Sequence, residues 1–275
     1  MNKEDYFIKQ FSSSKLIGDD GAVVGSYVYS MDAFFEDVHF KKEWMSLKQI
    51  ASKAMLINIS DAIAMNAKPK YALLSVAIPK SYSGDDLFEL SKGFKKTAKK
   101  FGIEIIGGDT IANDKLHISI TIISKSKKPI YRSGTEDGDF LCYTGDLGSV
   151  KRDLDLLLDG KKIDRKSKFI KPKLNPKFFY KIAPFVNSAL DISDGLFFEL
   201  ERLSKASDIG IELFEEIDKD IGCSGEEYEL LFSFNKKHEE SIKEIANKYG
   251  VKLNIFAKAN KQEKQFRCGC KNHHF

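Results

Sequence analysis

The sequence predicts an α/β protein built from two domains, and three observations support this prediction. The chain has 275 residues, which suffices for one large domain or two of ordinary size. Its first half alternates helix-forming stretches with β-branched strands, a pattern typical of an α/β layer. A polar, glycine-rich stretch, R-S-G-T-E-D-G-D, then precedes a new strand, F-L-C-Y-T. We therefore predict one domain over residues 1–135 and a second over residues 136–275.

The central helix of the first half begins at a capping box. Ser46 is followed three residues later by Gln49, a pair in which each side chain bonds the other residue's backbone N–H. We expect this helix to carry Asp61 and to stop near Pro69. A second helix, capped by one of the aspartates of G-D-D-L, should run to about residue 100, and a buried strand, I-E-I-I, should end at Gly107. The remaining predictions are a short helix at residues 3–11 and strands at residues 22–31, 71–78 and 116–123.

The second half continues this alternation of helices and strands. A strand, a turn and a helix are expected in A-L-D-I-S-D-G-L, and a strand in Y-E-L-L-F-S-F. Proline suits the first turn of a helix, so a helix should open at Pro176. Two more helices are predicted at residues 147–158 and 237–249, and a last strand at residues 251–256.

Aspartates beside glycine or small residues recur along the chain and form the candidate site. Asp61 lies among alanines in N-I-S-D-A-I-A-M-N-A-K-P, where a buried charge is costly unless a cation meets it. Magnesium prefers carboxylate, water and phosphate oxygens, and glycines let a backbone approach phosphates closely. We predict that the other acids converge on Asp61 and hold magnesium against phosphates. They are Asp19 and Asp20 in I-G-D-D-G, Asp32 in S-M-D, Asp109 in I-G-G-D-T, and Asp191 and Asp194 in D-I-S-D-G-L.

Two common nucleotide-binding patterns are missing from the sequence. There is no G-x-x-x-x-G-K-[ST] loop and no G-x-G-x-x-G after the first strand, so a nucleotide would be held through metal. Each aspartate taken singly is a common helix cap or turn residue. Their number in one chain favours the metal interpretation.

Composition argues against several other functions. The net charge of +4 is a small difference between 44 basic and 40 acidic residues, and the lysine runs, including residues 161–173, are typical of solvated helix faces and a surface loop. We therefore expect no nucleic-acid partner. No apolar run reaches the length of a membrane span and the N-terminus lacks an apolar signal core, so we expect a cytoplasmic protein without a membrane partner.

The four cysteines, at positions 142, 223, 268 and 270, are too few and too scattered to predict a disulfide framework. This pattern fits a reducing compartment. Cys268 and Cys270 with His273 and His274 offer zinc-binding residue types, but C-x-C is not a usual zinc spacing. We therefore favour no metal site at this end of the chain.

Seven motifs occur in one order along residues 16–235, and their joint occurrence is specific. They are I-G-D-D-G-A, S-M-D followed seven residues on by H-F, N-I-S-D-A-I-A-M-N-A-K-P, I-I-G-G-D-T, R-S-G, D-I-S-D-G-L and S-G-E-E-Y-E-L-L-F. In these motifs the chain resembles the thiamine-monophosphate kinase family. That family is similar to aminoimidazole ribonucleotide synthetase, selenophosphate synthetase and the hydrogenase-maturation dehydratase. The resemblance implies an N-terminal ATP-binding α/β domain that dimerises through its sheet, and a C-terminal α+β domain.

The resemblance also implies a reaction and a set of site residues. ATP would phosphorylate thiamine monophosphate to thiamine diphosphate in a homodimer, with Asp109, Asp61 and Arg132 as the catalytic residues. Residues for ATP would be Gly108, Asp109, Arg132 and Ser193, and those for thiamine monophosphate His39 and Glu226. Residues for magnesium would be Asp20, Ser30, Met31, Asp32, Asp61, Asp109, Asp191 and Asp194, with Ser30 and Met31 acting through backbone oxygens.

Some assignments keep alternatives. Arg132 is also typical of a surface arginine at a hinge, His39 of a packed core histidine, and Glu226 of a solvated residue at a strand start. The chain's end departs from the family, because Asn272 lies where an aromatic residue tends to stack on thiamine. Phe266 or Phe275 would have to replace it.

Three other functions stay open at this point. A hydrogenase-maturation dehydratase would use a C-terminal cysteine, for which Cys270 lacks the terminal setting. A selenophosphate synthetase would need a reactive cysteine near the N-terminus, and none precedes Cys142. A basic nucleic-acid or partner-binding module would show salt-dependent retention on DNA without nucleotide turnover.

Overall fold

A computed structural model of the protein describes residues 3–11 and 13–270. Its strands form two five-stranded sheets. The strands are β1 (Ala22–Val24), β2 (Tyr27–Phe35), β3 (Lys68–Pro79), β4 (Glu104–Asn113), β5 (His117–Lys125), β6 (Phe140–Thr144), β7 (Val186–Asp191), β8 (Gly210–Leu213), β9 (Leu230–Phe234) and β10 (Leu253–Asn260). The helices are α1 (Lys3–Lys9), α2 (Leu47–Ala64), α3 (Gly84–Phe101), α4 (Ser149–Leu158), α5 (Pro176–Ile182), α6 (Leu196–Ser207), α7 (Lys219–Gly222) and α8 (Glu239–Tyr249).

The first sheet has the order β1-β2-β5-β3-β4. All its pairs are antiparallel except β3 with β4, which run parallel because α3 connects them as a crossover. Burial alternates along central β5, where Ile118, Ile120 and Ile122 are fully buried beneath α2. Edge strand β4 is exposed along most of its length.

Helix α2 is the buried core element of the first half. The capping box at Ser46 is present as predicted, and most of the helix is buried. Helix α3 approaches it so closely that a Cβ at Gly93 would lie 2.4 Å from the carbonyl oxygen of Lys48. The expected stop at Pro69 was wrong: α2 ends at Ala64, and Asn66 adopts a left-handed φ of 51° that turns the chain into β3.

Two local predictions in the first half need correction. Ser83 caps α3, and Asp86 is its capping-box partner rather than the cap itself. The strand after α3 does not end at Gly107 but continues as β4 through the whole G-G-D-T motif. Pairing with β3 along this stretch, with a register shift between Ala72 and Leu73, keeps the backbone extended.

The second sheet is antiparallel throughout, in the order β7-β9-β6-β10-β8. Successive residues of β9 face opposite sides: Phe232 joins the large core that continues into the first sheet, and Leu231 joins a smaller core under α6. Strand β9 starts two residues later than predicted, because Tyr228 adopts a left-handed φ of 51°. The short elements β8 and α7 were missed, since four residues carry little periodic signal.

A disulfide bond joins Cys223 to Cys270, a pairing that the number and spacing of the cysteines did not predict. The partners are 47 residues apart, and the fold brings them together by laying the C-terminal stretch along α6. There the backbone N–H of Phe266 donates to Ser204 and that of Cys268 donates to Glu201. Because Cys270 is bonded, it is not a thiolate ligand for zinc. Cys268 keeps a free thiol, and the other candidate ligands, His273 and His274, lie outside the described residues.

No helix in the described part of the chain has the length and apolar character that a membrane crossing requires. Residue 135, where the sequence predicts a domain boundary, lies between β5 of the first sheet and β6 of the second.

Candidate active site

Four aspartates from separate elements form an acidic cluster where α2 meets β2 and β7. Asp20 lies in the turn before β1, Asp32 on β2, Asp61 on α2, and Asp191 at the end of β7. The carboxyl groups of Asp32 and Asp61 are within hydrogen-bonding reach of each other. The backbone N–H of Asp191 donates to Oδ2 of Asp20 at 3.2 Å. The structure thus brings four of the predicted metal-binding residues together.

The electrostatics of the acidic cluster are unfavourable for charged carboxylates. Burial raises the pKa of Asp32 to about 6, and the charge of Asp20 adds to the effect. Burial raises the pKa of Asp61 well above its usual value, with the charges of Asp32 and Asp191 contributing. Burial and the charge of Asp20 do the same for the pKa of Asp191. A cation bound among these groups would therefore favour their charged forms.

The donor atoms of this cluster fit a magnesium ion bound together with phosphates. Oδ2 of Asp191 is buried and has no hydrogen-bond partner among the described residues, so it can serve as a metal ligand. Within the same residues, however, no three acidic, histidine or cysteine side chains are already gathered as a metal site. Magnesium commonly takes one or two carboxylates and completes its octahedron with water and phosphate oxygens. The arrangement therefore suits a metal that arrives with a nucleotide better than a permanent structural ion.

Arg132 is held against the acidic cluster. Its Nε and Nη2 both donate to Oδ1 of Asp20, at 2.9 and 2.6 Å, and its Nη1 donates to the carbonyl oxygen of Gly18. Its backbone N–H donates to Oδ1 of Asp19 at 2.7 Å. Arg132 is therefore a part-buried member of the site and not a free surface arginine.

A second arginine, Arg202 on α6, holds the loop after β7. Its Nη2 pairs with Asp194 at 2.6 Å and its Nη1 with buried Glu199 at 2.7 Å. Glu199 also accepts a hydrogen bond from the hydroxyl of Ser193. Sequence reasoning missed Arg202 and Glu199, although their i, i+3 spacing on a helix is a usable signal. Asp194 lies close enough for its charge to raise the pKa of Asp32, but its own carboxylate is paired with arginine.

Asn58 ties β2 to α2 beside the acidic cluster. Its side-chain oxygen accepts from the backbone N–H of Asp32 at 2.8 Å, and its carbonyl oxygen accepts from the buried hydroxyl of Ser30 at 3.2 Å. Met31 exposes 66% of its surface, so its side chain takes no part in these contacts. The backbone role of Met31 as a metal ligand stays a prediction.

Gly108 and Asp109 lie apart from the cluster, on edge strand β4. A Cβ at Gly108 would lie 1.7 Å from the carbonyl oxygen of Leu74, so no other residue fits this position. Asp109 is exposed and its carboxylate accepts from the backbone N–H of Thr110 at 2.9 Å. No contact among the described residues links Asp109 to the acidic cluster.

Glu226 pairs with a buried lysine, and His39 packs near a phenylalanine that this lysine also approaches. Nδ1 of His39 accepts from the backbone N–H of Phe35, and its ring centroid lies 5.5 Å from that of Phe34. Glu226 pairs with Lys53 at 2.6 Å, and the Lys53 ammonium lies 5.4 Å from the Phe34 ring centroid. Sequence reasoning missed Lys53, because its partner is 173 residues away.

Two glutamates that follow Glu226 pair with one lysine. Glu227 is fully buried and accepts from the backbone N–H of Gly148, and it pairs with Lys168 at 2.8 Å. Glu229 pairs with the same lysine at 2.9 Å. Placing Lys168 in a solvated lysine stretch was therefore wrong, since only 15% of its side chain is exposed.

One open groove lies beside the disulfide. It measures about 720 Å³ and is lined by Phe266 and by residues of α6 and of the segment after β8. Phe266 packs against Phe197, with ring centroids 5.6 Å apart. The other candidate stacking aromatic, Phe275, lies outside the described residues.

Comparison of the sequence with known proteins identifies the family of this chain. Residues 18–125 match the N-terminal domain of AIR synthase related proteins. The thiamine-monophosphate kinase of Nitrosopumilus maritimus is 32% identical over 217 residues, which cover 72% of this chain and 70% of that protein. The enzyme of the same name from Pyrococcus horikoshii is 31% identical over 258 residues, covering 86% and 82%. The chain belongs to the thiamine-monophosphate kinase family.

Solved structures support the fold of this kinase. The structure described as AaThiL complexed with AMPPCP and TMP superposes with a TM-score of 0.86 at 24% identity, covering 99% of this chain and 96% of that one. A HypE-HypF complex gives a TM-score of 0.79 at 19% identity, covering 94% and 92%. The predicted two-domain α/β and α+β architecture, like that of aminoimidazole ribonucleotide synthetase, is thereby confirmed.

Proposed function

We propose that this kinase transfers the γ-phosphoryl group of ATP to thiamine monophosphate, producing thiamine diphosphate and ADP. The observation that carries the proposal is the acidic cluster, in which Asp61 is repelled by Asp32 and Asp191 while Arg132 is paired with Asp20. Family membership and the similar fold of a protein complexed with AMPPCP and TMP support the same substrates.

The proposed phosphoryl transfer depends little on proton transfer. The acceptor is a phosphate that already carries nearly two negative charges at neutral pH, so its attacking oxygen needs no general base. The barrier lies in repulsion between two polyanions and in aligning them for in-line transfer. Magnesium, when bound, supplies the charge that lowers this repulsion. Its protein ligands would be Asp32, Asp61 and Asp191, with Asp20 alongside.

Other residues would position the two substrates. Arg132, fixed by Asp20, directs its charge toward the same region, and Ser193 lies in the loop after β7. Gly108 and Asp109 would approach the nucleotide from β4. His39 and Glu226 would contact thiamine monophosphate, and the groove at Phe266 is open to an aromatic ring.

Two features of the assembly belong to the same proposal. The exposed edge and face of β4 suit dimerisation through the first sheet, because an unpaired strand edge is a template for pairing. The chain would divide near residue 135, with the acidic cluster built from both parts. The dehydratase alternative is disfavoured, since the disulfide occupies Cys270.

A substrate panel tests the proposal. Purified protein with ATP is offered thiamine monophosphate, free thiamine or an aminoimidazole ribonucleotide precursor, each with magnesium or with EDTA. We expect ADP and thiamine diphosphate only from the monophosphate with magnesium. Turnover of another acceptor, or full turnover in EDTA, would overturn the assignment.

A further inference from the structure

Lys53 is a buried cation outside the acidic cluster. Its side chain has no exposed surface, although it lies on α2 at the junction of the two halves. Its ammonium lies 4.1 Å from the ring centroid of Phe169 and 5.4 Å from that of Phe34. Burying an ammonium is costly unless a negative charge and aromatic faces replace its water. A carboxylate and two aromatic rings surround the ammonium here, so they stabilise Lys53 in its buried position.

The negative charge comes from Glu226, whose Oε2 lies 2.6 Å from the Lys53 ammonium. Glu226 has a left-handed φ of 56°, a conformation that non-glycine residues rarely adopt, and its backbone N–H donates to the carbonyl oxygen of Ser193 at 2.6 Å. The ion pair therefore links α2 to the loop that follows β7. Because Lys53 and Asp61 are two helical turns apart, about 12 Å along α2, one rigid helix sets the positions of both.

Only one oxygen of Glu226 is used by these contacts. The side chain retains 23% of its surface exposed, and Oε1 forms no hydrogen bond with any described residue. Lys53 itself has no route to a ligand, because its ammonium is enclosed by Phe34, Phe169 and Glu226. Any effect of Lys53 on a substrate must therefore pass through Glu226.

We propose that Lys53 is a positioning residue for the acceptor. It fixes Oε2 of Glu226 so that Oε1 points out of the protein, where it meets the positively charged heterocycle of thiamine monophosphate. This inference rests on the proposed function. The ring of His39 also lies near Phe34, at 5.5 Å between centroids.

The test is a double-mutant cycle with Lys53→Met, Glu226→Gln and the double variant. For each protein we measure kcat, KM for thiamine monophosphate, KM for ATP, and binding of thiamine monophosphate by calorimetry. We expect Lys53→Met to raise KM for thiamine monophosphate about tenfold and to change KM for ATP less than about twofold, since a charge-assisted contact of this kind contributes a factor of about ten. The double variant should be no worse than Glu226→Gln alone.

Two further variants separate positioning from general loss of stability. Lys168→Met removes another largely enclosed lysine with two carboxylate partners and should lower Tm without changing KM for thiamine monophosphate. Lys53→Arg keeps the cation and should recover part of the lost affinity. If Lys53→Met does not fold, Lys53→Arg and Glu226→Gln still decide the question, because both must weaken acceptor binding selectively.

The outcomes are distinct. Equal increases in both KM values, or additive effects of Lys53→Met and Glu226→Gln, would overturn the positioning role. Absence of thiamine monophosphate turnover and binding by the unmodified protein would instead overturn the proposed function itself.

Discussion

Arg132 donates two hydrogen bonds to a single carboxylate oxygen of Asp20, from Nε at 2.9 Å and from Nη2 at 2.6 Å. The other oxygen of Asp20 accepts from the backbone N–H of Asp191. Asp20, in the turn before β1, is thus held by the side chain of Arg132 and by the backbone of Asp191, both from later in the chain. This arrangement holds the Arg132 guanidinium at the acidic cluster, where we propose that the nucleotide binds.

Arg132→Lys should lower kcat/KM for ATP between about tenfold and a hundredfold. The variant keeps the charge, but an ammonium cannot reproduce the two guanidinium contacts, and a hydrogen bond to a charged group contributes about 1.5–3 kcal/mol. Steady-state kinetics with varied ATP checks this. Arg152→Lys, at a 73% exposed side chain, is the matched control and should behave as the unmodified protein. Normal ATP kinetics in Arg132→Lys would remove Arg132 from the site.

The residues of the acidic cluster could be predicted from the sequence, whereas the ion pairs and the disulfide elsewhere in the fold could not. Asp20, Asp32, Asp61 and Asp191 stand in recognisable motifs, and the capping box at Ser46 marked α2, because these signals are local. The pairing of Lys53 with Glu226, of Lys168 with two glutamates, and of Cys223 with Cys270 depends on tertiary contacts that no spacing reveals.

Asp109 shows a different limit of sequence reasoning. Its motif predicts a place among the metal ligands, yet the structure puts it on exposed β4 with a local hydrogen bond to Thr110. A role for Asp109 therefore depends on what the ligands or a second subunit bring to that edge.

Asp61→Asn should lower kcat by at least about a hundredfold, because an interaction that stabilises transferring charge is worth this much. The same substitution should raise Tm in EDTA, because an uncharged amide removes the repulsion between Asp61 and the neighbouring carboxylates of Asp32 and Asp191. Turnover and thermal unfolding, each with magnesium and with EDTA, measure the two effects. Asp109→Asn serves as the comparison: it should reduce activity similarly and leave Tm in EDTA unchanged. Wild-type rates in both variants would count against the metal assignment.

The stability of the metal-free protein should fall as pH rises through about 6. Burial raises the folded-state pKa of Asp32 to about 6 from an ordinary value of 3.8, so the folded protein binds more protons than the unfolded chain between these values. The stability that this protonated carboxyl provides is complete at low pH, and the loss is on the order of 2–3 kcal/mol once Asp32 ionises. Thermal unfolding in EDTA from pH 4.5 to 8 checks this dependence. Asp32→Asn should flatten the profile, and a profile that rises with pH would contradict the electrostatic account.

Removal of the Cys223–Cys270 disulfide should destabilise the protein without abolishing its fold. The bond closes a segment of 47 residues, for which loop-closure entropy predicts at most about 4 kcal/mol. Cys223→Ser and reduction of the unmodified protein with dithiothreitol should lower Tm by similar amounts, and dithiothreitol should have no further effect on Cys223→Ser. Cys268→Ser is the matched control, because it removes a neighbouring free thiol and leaves the bond in place. Since the C-terminal stretch also contacts Ser204 and Glu201 through its backbone, the second sheet should stay folded in both variants. An unchanged Tm after complete reduction, verified by mass mapping of the thiols, would show that these backbone contacts alone hold the C-terminal stretch in place.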